Sequence, residues 1–162
     1  MKKVVVFSQI DQDVLARLQQ NYQVVVLNPK LGDINEQICT EVVDADAMIG
    51  AGRLLNESNL APAQKLKIIS TVSVGYDHYD VDYLNERNIW LADTPHVLTE
   101  TTADLAFSLL LSAARKIPQL DAWTKQGQWK RTVSTEQFGV DVFGKTLGII
   151  GVAHIAPPLD PP

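Results

Sequence analysis

The order of elements along this chain predicts an α/β fold built on a doubly wound parallel sheet. Three observations carry the prediction. Short β-branched, apolar runs recur from residue 3 to residue 92. Between them lie stretches with apolar residues at helical spacing, the alternation that places helices on both faces of a parallel sheet. Composition agrees: 162 residues with 46% hydrophobic and 20% charged content can bury a real core.

Residues 3–8 are β-branched and apolar and predict a buried central strand. Asp11 is placed to cap a helix carrying Val14, Leu15 and Leu18 on one face. A second strand is expected over 22–27, closed by Asn28-Pro29, then a helix over 34–43 and a short strand over 47–50. Residues 67–72 predict a fourth strand, Asp80 caps a helix running to Asn88, and 89–92 predict a fifth strand. Right-handed crossovers through such a series give a flavodoxin-like unit ending near residue 95. Beyond it, a helix over 99–116 is apolar around most of its circumference and is therefore expected to be buried. Residues 118–139 predict an arm with Trp123, Gly127 and Trp129, and 146–150 a further strand.

Charge narrows the function. A net charge of −5 argues against a nucleic-acid partner, which needs a basic face. The longest apolar stretch, 103–114, contains Asp104 and falls short of the roughly 20 residues of a membrane span. The apolar run after Met1-Lys2-Lys3 turns polar at Ser8-Gln9, too early for a signal peptide, so a cytoplasmic location is expected. The lone Cys39 has no His or Asn arrangement around it and reads as a small residue on a helix face.

Two segments carry candidate chemistry. Ser73-Val74-Gly75-Tyr76-Asp77 follows the fourth strand at its carboxyl end, where open α/β sheets bind ligands. Glycine there lets backbone approach a small anion, and neighbouring N–H groups can hold a carboxylate. A plain strand-to-helix turn with Asp80 as cap explains the same residues. Asp77, Asp80 and Asp82 lack the glycine and terminal glutamate of a calcium loop and read as caps and solvated surface, so no metal site is expected. The second segment, Gly144-Lys145-Thr146-Leu147-Gly148-Ile149-Ile150-Gly151, opens as a dinucleotide-binding βαβ unit does. After Gly151 the pattern breaks: Ala153 and Ala156 stand where glycines belong, and Pro157, Pro158, Pro161 and Pro162 where a helix should run.

Three ordered motifs resemble the D-isomer-specific 2-hydroxyacid dehydrogenases. They are Ser-Val-Gly-Tyr-Asp-x-x-Asp-Val-Asp at 73–82, Thr-Pro-x-Val-Leu-Thr-Glu-Thr-x-Ala-Asp at 94–104, and Gly-Val-Asp-Val-x-x-Lys-Thr-Leu-Gly-Ile-Ile-Gly at 139–151. The likeness is greatest to the glyoxylate/hydroxypyruvate reductase branch that also reduces 2-ketogluconate, and it runs in register to Gly151. The resemblance implies a flavodoxin-like substrate domain over 1–98, the opening helix, arm and first strand of an NAD(P)-binding Rossmann domain over 99–151, and an unmatched proline-rich tail over 152–162. It implies that the backbone at Val74 and Gly75 meets a substrate carboxylate, that Thr102 lies near the cofactor, and that Gly151 is the first glycine of the pyrophosphate loop. It also implies a small 2-keto or 2-hydroxy acid as substrate and NAD or NADP as cofactor.

The family's proton-donating histidine, the acid that orients it, and the arginine that holds the carboxylate match no position in this chain. His78, His96 and His154 stand outside the family's catalytic context, and Arg53, Arg87, Arg115 and Arg131 fall in turns, helix ends and the arm. Each proline after Gly151 opposes a helix interior by about 3 kcal/mol, and without that helix the phosphates lose its N-terminal dipole. The expectation is a truncated or degenerate family member that neither binds a dinucleotide with ordinary affinity nor turns over alone. A competing expectation is an interaction protein, pairing with itself or a full-length homologue through 99–139. A receiver-type module is disfavoured, because the first strand runs into Ser8-Gln9 rather than paired acids.

Overall fold

The computed structural model describes residues 1–150, in two compact units: Met1–Pro95 and a second beginning at His96. The first is a five-stranded, all-parallel sheet in the order β2-β1-β3-β4-β5. Its strands are β1 (Lys3–Val6), β2 (Gln23–Val26), β3 (Ala47–Gly50), β4 (Ile68–Thr71) and β5 (Trp90–Ala92). All four residues of β1 are buried, as a central strand covered on both faces requires. Between the strands run helices α1 (Gln12–Asn21), α2 (Ile34–Glu41), α3 (Glu57–Leu60) and α4 (Val81–Glu86). One core joins Val5, Ile38, Val42, Met48, Leu60, Ile69 and Leu84.

The predicted caps form. Asp11 accepts from the Asp13 amide at 2.8 Å, and Asp80 from the Tyr83 amide at 3.1 Å. Helix α4 ends at Glu86 rather than Asn88, because Asn88 turns left-handed at φ 53° to start β5. Helix α3 was not expected from periodicity, being only one turn long. Its signal is a reciprocal cap: Asn56 accepts from the Ser58 amide while the buried Asn59 side chain accepts from the Asn56 amide. Asn59 also donates to the Leu54 carbonyl at 2.8 Å.

Order β2-β1-β3 means that the chain leaves β1 in one direction and returns to its other side, the topological switch point of this fold. All strands being parallel, the loops after β1, β3 and β4 gather at one end of the sheet.

The second unit contains α5 (Thr99–Ala114) and α6 (Ile117–Lys125). Residues 117–125, expected as arm, are helical because Pro118 sits in the first turn, where its missing N–H costs nothing. Lys116 takes a left-handed conformation (φ 55°) to separate the two helices. The chain later returns to α5, where the Val140 amide donates to the Ala114 carbonyl at 2.7 Å. Gly139 lies against that same backbone, leaving no room for a side chain. Two expectations fail here. Helix α5 is not buried: Leu105, Phe107 and Leu109 are all exposed. Residues 146–150 join no ladder among the described residues, and Ile150 is fully exposed. A strand is defined by its neighbours' hydrogen bonds, and an apolar β-branched run cannot form one without them.

Candidate functional site

The end of β4 builds a loop whose shape is set by hydroxyls. Thr71 and Ser73 stand two residues apart, so their side chains leave the strand on the same side. Their oxygens are 2.6 Å apart, and Ser73 Oγ donates to the Gly75 carbonyl at 2.7 Å. Since that bond uses the single serine proton, Thr71 is the donor to Ser73. Below them Tyr79 is buried, and burial pushes its phenol above the ordinary value, offset in part by the Thr71 hydroxyl nearby. Among the described residues no group meets full hydrogen-bond geometry with the Tyr79 hydroxyl.

Backbone bonds clamp the rest of the loop. The Val72 amide donates to the Gly50 carbonyl at 2.9 Å, and the Thr94 amide, beyond β5, donates to the Ser73 carbonyl at 3.0 Å. On the far side, Leu55 and Tyr79 pair in a parallel bridge: Leu55 donates to the His78 carbonyl and accepts from Asp80. Between these clamps, no described acceptor takes up the amides of Val74 and Gly75. Val74 is half-buried and Gly75 exposed. A Cβ built on Gly75 would meet only the Asp77 carboxylate, at 3.3 Å, so the fold itself does not demand glycine here. What glycine provides is an open approach to two free N–H donors, an arrangement suited to a carboxylate.

The structure therefore brings Val74 and Gly75 together on one clamped loop. Thr102 lies on the first turn of α5, half-buried, its amide bonded to the Leu98 carbonyl at 2.9 Å. Gly151, with His154 and the prolines after it, lies outside the described residues. His78 sits on the loop and engages Leu55 through its carbonyl; His96 is at a left-handed turn with φ 65°. The role of Thr71 was missed, though its spacing from Ser73 at a strand end was a readable signal. Among the described residues no group of three His, Cys, Asp or Glu side chains could hold a metal ion.

The family model for the D-isomer specific 2-hydroxyacid dehydrogenase, catalytic domain, matches residues 4–148. The chain belongs to the D-isomer-specific 2-hydroxyacid dehydrogenases. Among curated members of that family, glyoxylate/hydroxypyruvate reductase B of Serratia proteamaculans is 38% identical over 152 residues, which are 94% of this chain and 47% of the relative. Among solved structures, a protein of Thermus thermophilus matches with TM-score 0.83 and 32% identity, covering 97% of this chain and 51% of that one. The NADPH-dependent glyoxylate/hydroxypyruvate reductase of Sinorhizobium meliloti, solved with NADP and malonate, matches with TM-score 0.77 and 28% identity over 98% of this chain and 48% of that one. The chain spans about half the length of the curated relatives it matches.

The described residues do not form a dinucleotide cradle. Such a cradle needs a paired strand, a glycine turn and a helix N-terminus in succession. Residues 144–150 supply a turn at Gly144 and no ladder. No helix among them is long and apolar enough to cross a membrane.

Proposed function

We infer that this chain carries the carboxylate-binding half of a 2-keto acid reductase of the glyoxylate/hydroxypyruvate type. The observation that supports it is the pair of free amides at Val74 and Gly75, held in place by the Thr71–Ser73–Gly75 hydrogen bonds. A substrate carboxylate accepts from those N–H groups, and the clamped loop presents it without reorganisation. Residues 1–98 act as the substrate domain, and 99–151 belong to the cofactor-binding domain, with Thr102 on the cofactor side.

The chain alone does not turn over in this reading. Hydride transfer needs a proton donor and a group to polarise the carbonyl. No histidine or arginine here matches the family's positions for those roles, and the residues after Gly151 carry no Gly-x-Gly-x-x-Gly pattern for NAD or NADP. Mixing the purified chain with NADH or NADPH and glyoxylate or hydroxypyruvate is expected to give no loss of nicotinamide absorbance. Malonate, titrated against the isotope-labelled chain, is expected to move the amide resonances of Val74 and Gly75. Steady turnover would overturn the first statement, and unmoved loop amides the second.

A second reading is favoured by the exposed apolar face of α5 and by the arm. Leu105 is 59% and Leu109 61% exposed, and Trp123 stacks with the 60% exposed Trp129 at 6.4 Å. Each exposed leucine forgoes roughly 1.5–3 kcal/mol of burial, so this surface favours pairing with another copy or a full-length homologue. Light scattering is expected to report a dimer; a monomer at all concentrations would remove this reading.

A further inference from the structure

A crevice of about 530 Å³ opens at the carboxyl ends of β1, β2 and β3, at the switch point of the sheet. Its size lies within the range of about 300–1,000 Å³ usual for small-molecule sites. None of residues 71–79 lines it. One wall is apolar, made by Leu15 of α1 and by Leu27, Pro29 and Ile34. The opposite rim is the turn after β3, Ala51-Gly52-Arg53.

That turn is held open from inside. The Ser8 hydroxyl, at the end of β1, accepts from the Ala51 amide at 2.8 Å. Gly52 then takes φ +71°, a left-handed conformation that side chains resist, and a Cβ there would meet nothing. The turn is therefore shaped by backbone geometry rather than by packing. It leaves the Gly52 and Arg53 amides without a described acceptor.

Arg53 is the one charged side chain lining the crevice. It is half-buried, yet among the described residues no carboxylate, carbonyl or ring engages its guanidinium. Arginines in such settings normally find a partner, because the fork of N–H donors loses water on burial. Arg87 in the same unit shows the usual outcome: it bonds the Tyr83 hydroxyl at 2.6 Å and the Ala63 carbonyl, and lies over the Tyr83 ring. The acids on neighbouring loops do not neutralise Arg53. Asp11 and Asp33 line no part of the crevice and turn their oxygens onto helix amides.

We propose that this crevice is a binding site for a small organic acid, its carboxylate paired with the Arg53 guanidinium and the turn amides, and its apolar body lying against Leu15, Leu27, Pro29 and Ile34. Charge-assisted bonds from a fork donor give the carboxylate a fixed orientation. The apolar wall selects acids with a hydrocarbon body over bare inorganic anions. The site stands independently of the Val74–Gly75 reading, since none of its lining residues belongs to that loop.

The test is a titration of the isotope-labelled full chain with hexanoate, followed by amide resonances, with 1-hexanol as the neutral counterpart. Hexanoate is expected to shift Ser8, Gly52 and Arg53 with one shared affinity that is unchanged when Gly75→Ala removes the carboxylate site of the other loop, and 1-hexanol to bind at least about tenfold more weakly, as loss of a charged hydrogen bond requires. Arg53→Gln, a change on a turn that leaves the core untouched, is expected to weaken hexanoate to the level of 1-hexanol. Leu15→Trp, which fills the crevice from α1, is expected to abolish binding of both. Equal affinity for acid and alcohol, unchanged affinity in Arg53→Gln, or shifts that bypass the 51–53 turn would each overturn the proposal.

Discussion

The Thr71 hydroxyl donates to the Ser73 hydroxyl across 2.6 Å, and that bond joins the buried end of β4 to the exposed backbone at Gly75. Thr71 is fully buried and cannot move, so the orientation of its hydroxyl is inherited by the loop. Ser73→Ala breaks both bonds while leaving the strand intact. It is expected to lower stability by about 0.5–1.5 kcal/mol in urea unfolding and to weaken malonate binding at the Val74 and Gly75 amides. Unchanged binding alongside that loss of stability would show that the hydroxyls serve the fold alone.

Two glycines separate conformation from space. Gly75→Ala places a methyl against a mobile carboxylate at 3.3 Å, so its stability is expected to stay within about 0.5 kcal/mol of the parent while malonate binding is lost. Gly50→Ala places the methyl 2.7 Å from the Phe7 ring in the core and is expected to cost about 1–3 kcal/mol. Denaturation midpoints of the two variants, measured side by side, check the contrast.

Asn59 holds the segment before α3 through bonds to the Asn56 amide and the Leu54 carbonyl, from a buried position. Asn59→Ala leaves both backbone groups without a partner. The expected loss is about 1–3 kcal/mol, read as a lower midpoint in thermal unfolding.

Alkaline pH should destabilise the first unit through two groups. The buried Lys3 ammonium is pulled down by desolvation, but its bonds to Asp44 at 2.6 Å and Glu41 at 2.8 Å outweigh this and raise its pKa above 10.5. Burial likewise raises the Tyr79 phenol above 10.0. In both cases the folded chain holds its proton more tightly than the unfolded chain. Their contribution is complete below the unfolded values and is lost as pH rises through the folded ones. Stability measured from pH 8 upward should hold steady and then fall beyond about pH 10. In Lys3→Met with Tyr79→Phe, the fall should be smaller.

Local chemistry determined much of this protein. Strand positions followed from β-branched runs, helix starts from Asp11 and Asp80, and family membership from three motifs in register. The candidate loop at Val74 and Gly75 was legible because a glycine after a buried strand is a local event. Tertiary structure decided what depends on residues distant in sequence. The run at 146–150 has the composition of a strand, yet a strand exists only through a neighbour's hydrogen bonds, and none is present among the described residues. The apolar circumference of α5 suggested burial, but burial is a property of what packs against a helix, and Leu105 and Leu109 remain exposed. Arg53, an ordinary turn residue in the sequence, became a candidate ligand only once parallel pairing set the end of β3 beside those of β1 and β2, opening a crevice no single segment encodes.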